Sequence, residues 1–370
     1  LPRNVVFLIR GKLGDSLVFQ AVVREYALRH PGERITLLMR ADYAALLAGE
    51  RGFGVVGFGS RMALAAAVLR LRLGCALRGG RIDVFAVLWG FGDAVTMAGR
   101  LSGAARRLYI DGRMPALFPE FPPAQDADTL EGPAWLVARL LDDGLPRPAS
   151  ALLPQLAAMR RPGGNAVAVV PLANESRKNM DRACLDALLA EVRRRHPGAA
   201  IRLFVNPGDS GAPAVSRDLP AGVELVSFRN VTQLVGLYRD VVAWYGTDTG
   251  TYHVAAAMGI PATVFFGPTQ PLKIMLPAQP AARSVRLSVL GNDHCEVKDC
   301  ADPACLQQAV SAWSGKALAT PLARAPASCP LRAHDAARLA DVAERPASDS
   351  ASVRDQVRDP VRGTGGRAPA

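Results

Sequence analysis

Val241-Val242-Ala243-Trp244, then Asp248-Thr249-Gly250-Thr251, then His253-Val254-Ala255-Ala256-Ala257-Met258 form the most informative stretch of this chain. The apolar run reads as a buried strand and the small-residue run as a helix, joined by a short polar turn. A helix that opens directly from a strand end leaves its first backbone N–H groups unpaired, with a partial positive charge. Such an end attracts phosphate. Gly250 lets a ligand approach the backbone, and Asp248 or Thr249 can cap the helix or hold a sugar hydroxyl. An ordinary capped helix start would explain the Asp and Thr equally well, so this stretch does not decide the matter alone.

A second turn of similar design lies near the other end. Val5-Val6-Phe7-Leu8-Ile9 reads as a buried strand, followed by Arg10-Gly11-Lys12-Leu13-Gly14-Asp15-Ser16 and a helical pattern at Leu17, Ala21, Val22 and Tyr26. A Walker phosphate loop requires Ser or Thr directly after Gly-Lys, and Leu13 stands there instead, so that motif is rejected. The Asp15 carboxylate is therefore either a helix cap or a group that works on substrate at the strand's carboxyl end.

The order of elements also repeats. Tyr26-Ala27-Leu28-Arg29-His30-Pro31-Gly32 closes a helix before Ile35-Thr36-Leu37-Leu38, and Arg193-Arg194-Arg195-His196-Pro197-Gly198 closes another before Ile201-Arg202-Leu203-Phe204-Val205. The later unit starts with the apolar strand Ala166-Val167-Ala168-Val169-Val170 and carries a helix over Cys184 to Val192. His-Pro-Gly is a common helix stop. The shared sequence of strand, loop, helix, His-Pro-Gly and strand nevertheless predicts an α/β protein with two doubly wound, Rossmann-like domains facing across a cleft.

Composition agrees: 370 residues, 49% of them hydrophobic, suffice for two sizeable cores. The formal charge is +11, yet only five of the 44 basic residues are lysine, and basic residues are nowhere interleaved with aromatics. No nucleic-acid module is recognisable, and no nucleic-acid partner is expected. A basic face would serve anionic substrates or a negative membrane surface, and Arg61 to Arg81, with Arg70, Arg72 and Arg78 among Leu and Ala, is the best candidate, a solvated helix surface being the plainer alternative. No run of about 20 apolar residues predicts a membrane span. A strand begins almost at once, leaving no room for a signal peptide after Leu1, so the expectation is a cytoplasmic protein, compatible with peripheral association at the inner membrane.

Pro115, Pro119, Pro122 and Pro123 punctuate a loop, and Pro146, Pro148 and Pro154 surround a short apolar piece. Between them Ala134 to Leu141 has helical period and is expected to pack on the first domain. The expected divisions are an acceptor-side domain over 1–157, a nucleotide-sugar donor domain over 158–335, and a disordered tail over 336–370, whose end from Pro346 has no apolar period.

Gly11 to Asp15 after a first strand, Lys178 in the loop after the first strand of the second half, and Asp248-Thr249-Gly250-Thr251-Tyr252-His253 followed by Phe266-Gly267-Pro268-Thr269 resemble family 9 of the glycosyltransferases. That family includes ADP-heptose:lipopolysaccharide heptosyltransferases. The resemblance covers roughly the first 310 residues. It implies a GT-B fold, inverting transfer from a nucleotide-diphosphate sugar, with ADP-heptose the leading donor, and a glycan or glycolipid acceptor such as lipopolysaccharide core. It also implies no required cofactor or metal, Asp15 as catalytic base and Lys178 as contact to the donor phosphates. Gln270 stands where the family often carries an acidic residue, which leaves the donor sugar open.

The chemistry suits these residues. A base takes the acceptor hydroxyl's proton as its oxygen attacks the anomeric carbon, while positive groups lower the barrier to departure of the diphosphate. Asp15 qualifies as base if the closed cleft raises its proton affinity. Lys178, in Asn174-Glu175-Ser176-Arg177-Lys178-Asn179-Met180, and the amides from Gly250 to Tyr252 would meet the diphosphate, with Arg177 assisting. Gly14, Asp248, Thr249, Thr251, His253 and Thr269 complete the expected donor contacts.

Cys75 and Cys184 fall in apolar helical patterns and read as core residues. Cys295, Cys300 and Cys305, preceded by His294 and followed distantly by Cys329, offer an alternative as ligands of a structural metal, but their spacing is not a standard zinc pattern, and no metal is expected. Two rival functions share the architecture: a non-catalytic nucleotide-sugar-binding protein, and another GT-B enzyme such as a nucleotide-sugar epimerase.

Overall fold

The computed structural model describes residues 1–110, 113–122, 133–148, 150–206, 208–269, 282–287, 300, 304–315, 329 and 342–346. The first half holds strands β1 (Asn4–Ile9), β2 (Arg34–Arg40), β3 (Gly54–Phe58), β4 (Val84–Trp89) and β5 (Arg106–Tyr109). They form one parallel sheet in the order β3-β2-β1-β4-β5. Its helices are α1 (Leu13–Arg29), α2 (Ala41–Ala44), α3 (Arg61–Ala76), α4 (Asp93–Ser102) and α5 (Pro133–Arg139). Every residue of β1 is buried, as expected of a central parallel strand covered on both faces.

The second half opens with α6 (Pro154–Ala157), then β6 (Ala166–Val170), α7 (Arg182–Arg195), β7 (Ala200–Phe204), α8 (Ala212–Ser216), β8 (Val223–Val226) and α9 (Val231–Leu237). It continues through β9 (Val241–Thr247), α10 (Gly250–Ala257), β10 (Ala262–Phe265), β11 (Ala282–Leu287), α11 (Ala304–Ser314) and β12 (Val342–Pro346). The order is β12-β11-β10-β9-β6-β7-β8, parallel except for β12. Two open α/β sheets of this kind are the doubly wound, Rossmann-like domains that the sequence predicts, in keeping with the GT-B fold that the resemblance implies.

The two His-Pro-Gly signals end their helices alike. His30 closes α1 at φ −121°, ψ 57°, its N–H donating to Tyr26 O, and His196 closes α7 at φ −127°, ψ 67°, its N–H donating to Val192 O. The expected helix at Ala134 to Leu141 is α5, whose Trp135, Val137 and Ala138 are buried against the first sheet and α1. One difference concerns the tail: β12 pairs antiparallel with β11 inside the stretch 336–370. The period-2 pairing of a short edge strand leaves a far weaker sequence signal than a helix does. Residues 347–370 lie outside the described residues.

The halves do not have wholly separate cores. The apolar cluster of the first sheet runs on through Leu153 and Leu156 into α10 and one face of β6 and β9. A second cluster, around α7, α11 and the other face of that sheet, is self-contained. Helix α1 packs directly on α10. The connector is bonded to both sides, with Leu153 N–H donating to Ala257 O at 2.8 Å and Gln155 Nε2 to Leu46 O at 3.1 Å.

Both sheets have a point where successive connections depart in opposite directions: between β1 and β4 in the first, and between β6 and β9 in the second. Crevices open at the carboxyl ends of strands at such points. The turn after β1 carries Lys12 to Asp15, the turn after β6 carries Lys178, and the turn after β9 carries Asp248 to Thr251.

Candidate active site

These three turns line one cavity of about 510 Å³ between the halves. Asp15, Gly14, Lys178, Asp248, Thr249, Gly250, Thr251 and His253, all singled out from the sequence, are on its wall. That volume lies within the range of small-molecule sites.

Asp15 sits in the first turn of α1, where its Oδ2 accepts the backbone N–H of Lys12 at 2.9 Å. It is thus both a helix cap and a cavity group, so the two roles left open by the sequence are not exclusive. Burial raises its pKa above the ordinary carboxyl value, against the lowering effects of the Lys12 N–H and of the Lys12 and Lys178 charges. Asp248 adds to the upward shift by like-charge repulsion. A carboxylate so placed holds a proton more firmly, which is what a base needs.

Lys178 closes a single 3-10 turn, Ser176–Lys178, after β6. Its Nζ donates to Asp248 Oδ2 at 2.8 Å and stands 3.9 Å from Glu175 Oε1. The Lys178–Asp248 pair therefore bridges the crevice between β6 and β9. Its side chains are 13% and 6% exposed, which makes it a largely desolvated pair facing the cavity. Burial pushes Glu175 upward, but Lys178 and Arg177 outweigh it and hold its pKa below the ordinary value.

Helix α10 begins after Thr249, whose backbone is extended at φ −145°, ψ 160° and whose side chain makes no capping bond. The first amides of α10, at Gly250 and Thr251, are left without a side-chain cap at the cavity wall, a setting that favours an anion. His253 in the same turn is buried, its Nδ1 has no partner among the described residues, and burial lowers its pKa to about 4. Its ring packs against Gly14, where a Cβ would come within 2.7 Å of Cδ2. Gly250 is equally close to the first half, its absent Cβ lying 3.4 Å from Leu13 Cβ.

Two expected contacts lie elsewhere. Arg177 turns to Glu175, at 2.9 Å, and is not on the cavity wall. Thr269 is buried and is not among the residues lining the cavity; the preceding Gly267 packs against Cys305 Sγ and Leu306 of α11. Gln270 and Cys295 lie outside the described residues, while Cys300, Cys305 and Cys329 are partly buried. Among the described residues no group of three or more His, Cys, Asp or Glu side chains gathers as for a metal ion. Cys75 and Cys184 are core residues, as expected.

The structure adds wall residues that sequence reasoning missed: Arg40 and Tyr43 after β2, Asn174 and Glu175 after β6, Phe204 and Asn206 at the end of β7, and Phe228 after β8. Arg40 lies over the Tyr43 ring, 5.2 Å from its centroid. All stand at or just beyond the carboxyl ends of parallel strands, and strand order, not a local residue pattern, brings them to the cavity.

Residues 149–305 match the family model described as glycosyltransferase family 9 (heptosyltransferase). No curated protein matches the sequence. Among solved structures, ADP-heptose lps heptosyltransferase II of E. coli superposes with a TM-score of 0.59 at 18% identity, over 84% of this chain and 98% of that one. A family 9 glycosyl transferase from Veillonella parvula gives 0.59 at 13% identity, over 76% and 85%. E. coli heptosyltransferase WaaC with ADP gives 0.55 at 16% identity, over 73% and 89%.

Proposed function

We propose, from the premise that this chain is a glycosyltransferase with a family 9 segment over residues 149–305, that it moves a sugar with inversion from a nucleotide-diphosphate donor to a glycolipid acceptor. One observation carries the reading: Asp15 from the first half, and Lys178 and the uncapped start of α10 from the second, line the same cavity. The similar E. coli proteins are a heptosyltransferase with ADP and an ADP-heptose enzyme, which makes ADP-heptose the first donor to test and lipopolysaccharide core the first acceptor.

In this reading the nucleotide lies along the second half, between Phe204 and Phe228, with its diphosphate at Lys178 and the α10 amides. The acceptor enters from the first half. Its hydroxyl oxygen bonds to the anomeric carbon on the face opposite the diphosphate, its proton passes to Asp15, and the bond to the diphosphate oxygen breaks. Charge grows on the leaving diphosphate, so a lysine and preorganised amides aimed at it lower the barrier, each by a factor of about 10² to 10³. Donor binding has to draw Lys178 partly away from Asp248. Asp248 is then free to accept a sugar hydroxyl.

The test is transfer from a panel of ADP-, UDP- and GDP-sugars to a lipopolysaccharide-core acceptor, read by mass spectrometry, with the anomeric configuration of the product read by NMR. Inverted product and at least about a hundredfold loss in Asp15→Asn support the assignment. Retained configuration, or equal turnover by Asp15→Asn, overturns it.

A further inference from the structure

Helix α3 is apolar on its outward side. Met62, Leu69 and Leu73, and Leu77 at its C-cap, are separated by seven, four and four residues, which puts them on one stripe. They are 70%, 46%, 60% and 79% exposed. These are four of the eleven large apolar side chains exposed among the described residues, while Leu64, Val68 and Cys75 of the same helix face the core. A solvated helix would carry polar residues on the outer stripe. Arg70 and Arg72 flank the stripe, one on each side, and α3 contains no acidic residue.

The charge around it is equally one-sided. Residues 61–107 hold eight arginines and two aspartates, a formal +6 out of the chain's +11. Arg61 answers Asp93 at 3.8 Å, Arg81 lies 4.0 Å from Asp83, Arg106 is paired with Glu120 and Arg72 donates to Leu101 O at 3.4 Å, while Arg78, Arg100 and Arg107 have no ion-pair partner among the described residues. Arg70 has no ion-pair partner among the described residues.

We propose that the outer face of α3 docks on an anionic phospholipid surface, with Met62, Leu69, Leu73 and Leu77 entering the headgroup boundary and Arg70 and Arg72 meeting lipid phosphates. Charge complementarity selects this occupant over a second copy of the chain. A two-fold contact of α3 with itself would set arginines against arginines with no carboxylate on either helix. The parallel sheet puts the first turn of α3 at the same carboxyl-end edge of the sheet as Asp15. The proposal goes beyond sugar transfer and gives the glycolipid reading a surface, but its test uses neither donor nor acceptor, so either can fail alone.

Purified full chain is floated with vesicles of phosphatidylglycerol and phosphatidylcholine, and with vesicles of phosphatidylcholine alone. The expected result is flotation with the anionic vesicles, falling at least about tenfold on the neutral ones and with rising salt. Leu69→Ser/Leu73→Ser/Leu77→Ser and, separately, Arg70→Ser/Arg72→Ser are each expected to lower partition at least about tenfold while the unfolding midpoint stays put. A parent chain that stays in solution with both vesicles overturns the proposal, as does flotation unchanged in the leucine variant. So does a dimeric parent that Leu73→Ser turns monomeric, because the stripe is then a subunit contact.

Discussion

Gly14 and His253 touch across the two halves of the molecule: a Cβ placed on Gly14 would lie 2.7 Å from His253 Cδ2 and 3.1 Å from its Nε2. Helices α1 and α10 thus meet at their first turns with no room for a methyl group. Gly14→Val is expected to force the turns apart and to cost about 1–3 kcal/mol of stability, with a larger relative loss of activity. His253→Ala would open space for it. Denaturation of both single variants and the double variant measures the coupling; a coupling energy near zero would mean that the two residues do not touch in solution.

The Lys178–Asp248 pair gives a second prediction. Lys178→Ala leaves a buried carboxylate without its cation, which costs stability, about 3 kcal/mol on the scale of broken buried pairs. Lys178→Ala/Asp248→Asn is expected to recover most of that stability and none of the activity, because the diphosphate still lacks its cation. Urea titration alongside turnover separates the effects. Recovery of both together would show that Lys178 serves the fold alone.

Much of this arrangement is legible in the chain itself. Gly11 to Asp15 and Asp248 to Gly250 announce themselves because a buried strand passing at once into a helix through Gly and Asp is a local pattern. The His-Pro-Gly repeats are local too, and His30 and His196 close their helices with nearly the same backbone angles. Arg40, Tyr43, Phe204 and Phe228 were not legible, since what brings them to the cavity is strand order, a long-range property with no residue signature. Arg177 neighbours Lys178 in sequence and both side chains approach Glu175, but only Lys178 reaches Asp248 and the cavity wall. The Leu stripe of α3 was obscured by apolar residues on both sides of one helix, which cannot be sorted into core and surface before packing is known.

As the proposed base, Asp15 links activity to pH. Its folded pKa is raised, so between the ordinary carboxyl value near 3.8 and that raised value the folded chain binds more protons than the unfolded one. Stability attributable to this group therefore falls as pH rises through the window, and it remains lower at neutral pH. Asp15→Asn removes the buried charge while keeping an oxygen for the Lys12 N–H, and is expected to be at least as stable as the parent at pH 7. Activity moves the other way: the parent rate drops as pH falls through the raised pKa, where the base becomes protonated. A parent profile flat to pH 4, or an asparagine variant less stable than the parent at pH 7, contradicts this account of the site.

His253 carries the opposite linkage. Burial depresses its pKa to about 4 from the ordinary value near 6.5, so the ring is neutral when the protein works. As pH falls below about 6.5 the unfolded chain takes up this proton first, and the fold loses stability progressively until about pH 4. A depression of that size corresponds to about 3 kcal/mol over the whole window. His196 is also depressed, by burial and by Arg195, and adds a slope of the same sign, so the parent alone cannot isolate His253. The difference between parent and His253→Gln can. Unfolding free energies at half-unit steps from pH 7 to pH 4 should show the parent declining more steeply than the variant by that amount. Parallel curves would mean that this imidazole is solvated, and with it the turn where α1 and α10 meet.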